Sequence, residues 1–198
     1  MKWAEMFNME EKKMRKNFGA KPILYPQAVF IIGSYDENGN PDAMNAAWGG
    51  VAGGNKIFMC ISSHKSTENI LARKAFTVSM GTADQVVACD YVGLVSAKNE
   101  PEKMQKSGFH TVKSEYVDAP VICELPMTLE CKLISYDAEN DYMFGEIVNV
   151  SADKSILGDN GSIAVDKLRP IIFDGANAAY HVIGEKVGNA FRDGAALK

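Results

Sequence analysis

The spacing of apolar and polar residues predicts a chain built mainly of β-strands. Residues 27–35, QAVFIIGSY, are rich in β-branched and aromatic side chains, which favour an extended backbone. Asn38-Gly39 follows, a pair typical of the tip of a β-hairpin. The alternation then predicts a return strand from Asp42 onward and further strands at residues 56–62 and 75–80.

The longest predicted hairpin lies in the second half of the chain. Residues 127–136 alternate, residues 137–140 have turn chemistry, and residues 141–150 pair back. Short extended pieces are predicted at residues 171–173 and 180–183. Roughly six or seven strands without long helical crossovers predict a mainly β fold, a small Greek-key β-barrel. Barrel closure, covering helices or a second subunit would protect the strand edges.

Helices are predicted to interrupt the strands at residues 82–110. Thr82 and Gln85 have the spacing of a capping box, and a helical rhythm follows as far as Gly93. A second, charged helix is predicted at residues 101–106, ending at Gly108. We interpret the chain as a single domain, residues 1–198, with this helical insertion and with an N-terminal helical extension at residues 1–20, where Met, Trp and Phe recur at rough helical spacing.

Composition narrows the class of protein. Of the 198 residues 46% are hydrophobic and 23% charged, the net charge is −4, and the basic residues form no cluster, so nucleic-acid binding is not predicted. Neither a signal peptide nor a run of apolar residues long enough to cross a membrane is evident, which predicts a soluble, cytoplasmic protein. The four cysteines form no CxxC pair, so we predict neither a metal site nor a disulfide framework.

The stretch at residues 44–69 combines small residues with a cluster of polar ones. Glycine and alanine allow a flat ligand to approach the backbone closely. A hydroxyl-rich segment then precedes a helical pattern, and the unpaired amides and dipole of a helix N-terminus favour an anion such as phosphate. Ser66 or Thr67 could cap that helix, and Lys65 adds a positive charge. The alternative is a capped surface helix without a ligand, because capping residues are common.

Five motifs in order resemble the flavin reductase-like, flavoredoxin-type proteins. They are NAAW at residues 45–48, ISSHKSTENI at 61–70, DYVGLVSAKNEPEKMQKSGF at 90–109, APVICELPMTLECKLISY at 119–136, and RPIIFDGANAAYHVIGEKVGNAF at 169–191. This resemblance covers nearly all of residues 26–191. It implies an FMN-binding split β-barrel, usually a homodimer whose flavin lies at or near the subunit interface.

The resemblance also implies roles for particular residues. The segment matched to the isoalloxazine ring comprises Asn45, Ala46, Ala47 and Trp48, and the segment matched to the ribityl chain and phosphate comprises Ser62, Ser63, Lys65, Ser66, Thr67 and Asn69. Several relatives carry arginine and proline around residues 63–65, whereas here the cation is Lys65, which binds phosphate as a point charge. Trp48 could stack on the ring or belong to the core.

These observations lead to one functional hypothesis with two alternatives. The chain is predicted to be an FMN-binding oxidoreductase that passes electrons from a reductant, NADH or NADPH, through FMN to a small-molecule or protein acceptor. Because the cofactor carries the chemistry, no catalytic side chain is assigned. The alternatives are an FMN electron carrier without its own nicotinamide site, and a split barrel that binds haem, another phosphorylated ligand or nothing.

Overall fold

A seven-stranded antiparallel sheet forms the body of the protein, which a computed structural model describes over residues 15–198. Most of the predicted N-terminal helical extension, residues 1–20, therefore lies outside the described residues. The spatial order of the strands is β2-β1-β5-β8-β9-β4-β3. Their bounds are Phe30–Tyr35 (β1), Pro41–Ala46 (β2), Gly49–Val51 (β3), Lys56–Cys60 (β4), Ala75–Met80 (β5), Met127–Asp137 (β8) and Tyr142–Ala152 (β9).

Two short antiparallel ribbons complete the β structure of the described residues. One pairs Thr111–Lys113 (β6) with Pro120–Ile122 (β7), and the other pairs Ile171–Asp174 (β10) with Ala179–Val182 (β11). The structure thus has more strands than the six or seven expected. The mainly β prediction, the Asn38-Gly39 hairpin and the long hairpin of β8 and β9 are confirmed.

Within residues 15–198, four α-helices follow or interrupt the strands. They span Lys65–Arg73 (α1), Val86–Leu94 (α2), Lys103–Ser107 (α3) and Val165–Leu168 (α4), and short 3-10 helices span Ala83–Gln85, Lys154–Ile156 and Asp193–Leu197. The helices predicted within residues 82–110 are present, and Gly108 ends α3 in the left-handed conformation. The capping box is wrong: the Thr82 side chain makes no capping hydrogen bond, and a 3-10 turn begins there instead.

Apolar clusters pack against both faces of the sheet. Strand β1 contributes to both, because successive side chains of a strand point to opposite faces. Phe30 and Ile32 pack into the concave cluster with Phe76 and Met143, whereas Ile31 packs against α2 and its neighbours on the other face. Both faces of β1 are therefore buried, which explains the continuous run of apolar residues that predicted the strand.

The second cluster determines where a cleft can form. In this cluster, α2 and the β10–β11 ribbon pack on the face of the sheet beside β2, and all three parts contribute buried residues. β2 is an edge strand of the main sheet, so one side of it remains unpaired within the described chain. The end of β2 therefore lies beside α2 and the β10–β11 ribbon. Within residues 15–198, no helix has the length and apolar character needed to span a membrane.

Candidate functional site

A cleft of about 350 Å³ lies where the end of β2, α2 and the β10–β11 ribbon meet. Strand β4 and the segment after it form the remaining side. The lining residues come from five separate parts of the chain: Met44, Asn45, Ala46, Ala47, Trp48, Cys60, Ile61, Ser62, His64, Asp90, Gly93, Leu94, Phe173 and Tyr180. The four residues predicted to face a ring, Asn45 to Trp48, are all among them.

Trp48 lies at the surface of this cleft and not in the core. Its side chain is 50% exposed, and its ring centroid is 5.9 Å from that of Phe173, at an interplanar angle of 60°. Phe173 in turn contacts Tyr180, at 6.0 Å between centroids. Of the two alternatives for Trp48, core packing is therefore wrong. An aromatic wall borders the small residues Ala46 and Ala47.

A hydrogen-bonded group forms the wall on the side of α2. Asn45 donates from Nδ2 to the carbonyl oxygen of Cys89 at 2.9 Å. The Tyr180 hydroxyl donates to Asp90 Oδ1 at 2.8 Å. Burial, together with this hydrogen bond, raises the pKa of Tyr180 to about 12, so the phenol stays protonated at neutral pH. The wall therefore keeps the same hydrogen-bonding pattern across the physiological pH range.

The N-terminus of α1 lies beside the cleft. The helix begins at Lys65, with His64 in the extended N-cap position and without a side-chain cap. The expectation that Ser66 or Thr67 caps the helix is wrong, because both residues are already in its first turn. Within the described chain, the amides of Lys65, Ser66 and Thr67 donate to no backbone oxygen. Three adjacent N–H groups at the positive end of the helix dipole thus lack a backbone partner.

The polar side chains around α1 differ in where they point. Ser66 Oγ donates to Asp42 Oδ2 at 2.9 Å, Thr67 Oγ1 donates to the Ser62 carbonyl at 2.7 Å, and Asn69 Nδ2 donates to Ser34 Oγ at 3.2 Å. All three donors are buried. Ser62 Oγ lies 3.0 Å from His64 Nε2 at the cleft, and Ser63 is exposed. The three buried side chains already hold α1 against its neighbours. A ligand role stays a prediction for the six residues of the matched segment, Ser62, Ser63, Lys65, Ser66, Thr67 and Asn69.

The cleft continues past α1. A second cavity of about 260 Å³ shares Met44, Asn45 and His64 with the first, and Lys65 and Ser66 line it further on. The segment at residues 95–97 forms its opposite side. The two groups of predicted site residues, one at 45–48 and the other around Lys65, therefore border two adjoining cavities with shared walls, together called the groove below.

A buried ion pair supports the floor of this groove. Lys103 Nζ of α3 lies 3.1 Å from Asp42 Oδ1 of β2, and their side chains are 4% and 5% exposed. Asp42 also accepts the hydrogen bond of Ser66. One carboxylate thus connects the helical insertion, the edge strand and the first turn of α1.

Sequence reasoning missed Asp90, Gly93, Phe173 and Tyr180 as parts of the site. Asp90 falls within the predicted helix and Gly93 at its end, and none of the four residues was assigned a ligand role. Gly93 gives a usable signal: a Cβ at this position would lie 2.9 Å from the Asn45 Cβ, so a glycine in a predicted helix marks a close approach. Within residues 15–198, no cluster of three or more His, Cys, Asp or Glu side chains could hold a metal ion.

The half-open, mainly β architecture with a cleft at its edge strand defines a class of small barrels, and comparison with known proteins identifies the family. The chain belongs to the family described as "Flavin reductase like domain", whose model matches residues 23–173. The resemblance predicted from the five motifs is therefore confirmed.

Solved structures of relatives have the same fold. Flavoredoxin of Desulfovibrio vulgaris (Miyazaki F) is 35% identical with a TM-score of 0.87, covering 91% of this chain and 100% of that chain. Flavoredoxin from Methanosarcina acetivorans is 26% identical with a TM-score of 0.79, covering 93% of this chain and 98% of that chain. The split-barrel prediction is thereby confirmed.

A curated relative matches only in part. An uncharacterized protein of Aquifex aeolicus (strain VF5) is 30% identical over 108 residues, 54% of this chain. The match spans about half the length of that relative, 55%.

Proposed function

We propose that this protein is an FMN-binding oxidoreductase of the flavin reductase-like type, which passes electrons from NADH or NADPH through FMN to an acceptor. One observation carries the proposal. The two adjoining cavities of the groove extend from the small residues at the end of β2 to the N-terminus of α1, where Lys65 lies beside amides without a backbone partner. A ligand that consists of a flat ring joined to a phosphate by a flexible chain would fit a groove of this shape.

The first half of the groove fits a flavin ring. Its volume of about 350 Å³ is within the range of small-molecule sites. Ala46 and Ala47 leave room over the face of a ring, and the aromatic side chains of Trp48 and Phe173 border it. Asn45 supplies a polar atom for the edge of the ring.

The second half fits a phosphate. The first-turn amides of α1 and its dipole favour a negative charge, and the Lys65 ammonium adds to them. In this proposal Ser62 and Ser63 donate hydroxyl groups, whereas Ser66 and Thr67 contribute backbone amides, because their hydroxyls already bond Asp42 and Ser62. Asn69 holds α1 against β1.

When bound, FMN would supply the capacity to accept two electrons as a hydride and to release them singly or in pairs. The protein residues bind and orient the cofactor. Trp48 and Phe173 form an apolar border on one side of the groove. In this proposal no side chain needs to accept or donate a proton, so no catalytic side chain is assigned.

The absorption spectrum of the purified protein tests the proposal. Protein purified without added cofactor, then titrated with FMN, should show a flavin spectrum with stoichiometric uptake. Anaerobic addition of NADH or NADPH should bleach it. A protein that takes up no FMN would refute the proposal and favour a barrel for another ligand.

Lys65→Ala tests the phosphate half of the groove. Loss of one positive charge at the anion site should weaken FMN binding by about tenfold, in line with a charge-assisted hydrogen bond of about 1.5 kcal/mol. Lys56→Ala is the matched control, since Lys56 is an exposed lysine at the start of β4 and lines neither cavity. Equal affinities of the two variants for FMN would contradict the phosphate assignment.

The likeness to two flavoredoxins favours a second candidate, an FMN electron carrier without its own nicotinamide site. Steady-state oxidation of NADH and NADPH by the FMN-loaded protein separates the two. A carrier would bind FMN tightly and turn over neither nucleotide, but would be reduced by a protein or chemical donor.

We further propose a homodimer. Strands β2 and β3 are the two outer strands of the sheet, and β2 borders the cleft. Trp48 and Leu94 are exposed apolar residues that line the cleft, and Val51 of β3 is exposed as well. Unpaired strand edges and apolar surface favour association with a second copy. Sedimentation equilibrium should give twice the chain mass, and a monomer at micromolar concentration would contradict this part of the proposal.

A further inference from the structure

The wall formed by Asn45, Tyr180 and Asp90 has hydrogen bonds that all run in one direction. Asn45 Nδ2 donates to the Cys89 carbonyl at 2.9 Å and, over 3.4 Å, to the Tyr180 hydroxyl oxygen. Tyr180 donates onward to Asp90 at 2.8 Å. A carbonyl oxygen can only accept, so the Cys89 contact determines which end of the Asn45 carboxamide is the nitrogen. The carboxamide oxygen is therefore the other end.

Two oxygens of this wall keep their capacity to accept. Among residues 15–198, Asn45 Oδ1 and Asp90 Oδ2 accept no hydrogen bond. Neither oxygen is among the fully buried atoms, because every fully buried side-chain nitrogen or oxygen of the described residues has a partner. Both atoms are therefore accessible, and both residues line the cleft. A ligand edge that lies against this wall is matched only if it donates a hydrogen bond.

Gly93 brings the wall together. It lies on α2, three residues beyond Asp90, and a Cβ at this position would approach the Asn45 Cβ to 2.9 Å. Real Cβ contacts of this length are essentially never seen. The absence of a side chain at Gly93 thus allows α2 to lie against β2 closely enough for Asn45 to reach the Cys89 carbonyl.

We propose that Asn45 Oδ1 accepts the imide N–H of the flavin pyrimidine ring, and that Tyr180 and Asp90 are positioning residues that keep the carboxamide oxygen toward the ligand. This inference rests on the proposed function. The pyrimidine edge of a flavin presents one donor, N3–H, between two carbonyl oxygens, so the placement of one acceptor decides whether that edge can dock. Tyr180 opposes rotation of the carboxamide because its own proton is directed to Asp90, which leaves its oxygen to accept from Asn45 Nδ2.

The probe is FMN methylated at N3, which keeps the ring and phosphate but has no imide proton. Dissociation constants of FMN and N3-methyl-FMN are measured by fluorescence quenching for each protein. The wild type should bind the methylated flavin about 30-fold more weakly, because Asn45 Oδ1 then meets a methyl group and is left without a donor. In Asn45→Ala the two flavins should differ by no more than about threefold.

Tyr180→Phe tests the positioning role. Tyr180 Oη is the atom removed, so the ratio of the two dissociation constants should fall about threefold while binding of N3-methyl-FMN stays unchanged. Tyr142→Phe loses the same atom at a half-exposed tyrosine outside the cleft and should keep the wild-type ratio. A merely structural role of Tyr180 would weaken the binding of both flavins equally and would overturn its assignment.

The outcomes separate this inference from the proposed function. Wild-type protein that binds FMN and N3-methyl-FMN equally well would overturn the inference and leave the proposed function intact. Full discrimination by a folded Asn45→Ala variant, with its fold checked by circular dichroism, would overturn it as well. Protein that binds neither flavin would overturn the proposed function itself.

Discussion

Lys103→Met should destabilise the protein more than any surface lysine substitution. The Lys103 ammonium lies 3.1 Å from Asp42 Oδ1, with side chains only 4% and 5% exposed. At an effective dielectric constant of about 20, two unit charges at this separation attract by about 5 kcal/mol. Removing Lys103 leaves the Asp42 carboxylate buried with the Ser66 hydroxyl as a donor. Breaking one side of a buried pair costs about 3–5 kcal/mol, and we expect a loss in this range.

The assay is urea unfolding followed by circular dichroism, with the slope of unfolding free energy against urea checked for each variant. Lys106→Met on the same helix is the matched control. Lys106 lies 2.6 Å from Glu100 Oε2, but its side chain is 48% exposed, so its loss should cost less than about 1 kcal/mol. Asp42→Asn combined with Lys103→Met removes both charges and should recover most of the loss.

Two results would refute the reasoning about this ion pair. The first is a Lys103→Met variant within about 1 kcal/mol of wild type, because it would mean that Asp42 is not effectively buried without its partner. The second is a double variant no more stable than Lys103→Met alone. In that case packing of the lysine chain, and not the uncompensated charge, would account for the loss.

Two further predictions concern stability. Gly145→Ala should cost about 1–3 kcal/mol of unfolding free energy, because its Cβ would clash with the Phe76 ring in the core. Gly50→Ala, with no atom within 4 Å of its Cβ, should be nearly neutral in the same urea assay. Hydrogen bonds from Asn177 and Tyr25 lower the pKa of Asp174 from 3.8 to about 2, so its carboxylate stabilises the fold above pH 3.8 and that stability is lost as the pH falls towards 2. Asp174→Asn should lower the stability at pH 7 and make the stability less dependent on pH between 4 and 2. If the variant and the wild type have the same acid-unfolding curve, the carboxylate does not contribute.

The parts of the fold that depend on local alternation were predictable. Strand β5 begins and ends at the predicted residues, and the long hairpin has its turn where the Asp and Asn residues predicted it. Gly108 ends α3 as expected. In each case the signal is a repeat of two or a turn residue within a few positions, so neighbouring residues alone decide the local structure.

Predictions failed where a partner distant in sequence decides the structure. Strand β3 consists of Gly49–Val51, whose pairing with β4 is invisible in a glycine-rich segment. Ser66 was interpreted as a helix cap, yet its hydroxyl bonds Asp42, which precedes it by 24 positions. A hydroxyl near a helix start fits either role, and only the position of the carboxylate distinguishes them.

The site residues that were predicted lie close together in the sequence, whereas the missed ones lie far apart. The groups that border the groove around Lys65 lie within a short segment, and the chemistry of a helix N-terminus follows from that segment alone. The wall of Asn45, Asp90 and Tyr180 is made by positions separated by 45 and 90 residues. None of the three residues is part of a distinctive local sequence pattern. The orientation of their side chains follows from the packing of β2 against α2 and the C-terminal ribbon.

A cofactor-binding groove places few chemical requirements on any single side chain. If FMN carries the redox chemistry, the protein must supply room over a ring, amides for a phosphate and a few fixed polar atoms. Ala46 and Ala47 provide the room and the first turn of α1 provides the amides, and neither feature requires a distinctive side chain. The fixed polar atoms are the exception, since the orientation of Asn45 depends on Cys89 and Tyr180. Specificity for the ligand should therefore be most sensitive to substitutions in this wall, and stability to substitutions at the Asp42–Lys103 pair beneath the groove.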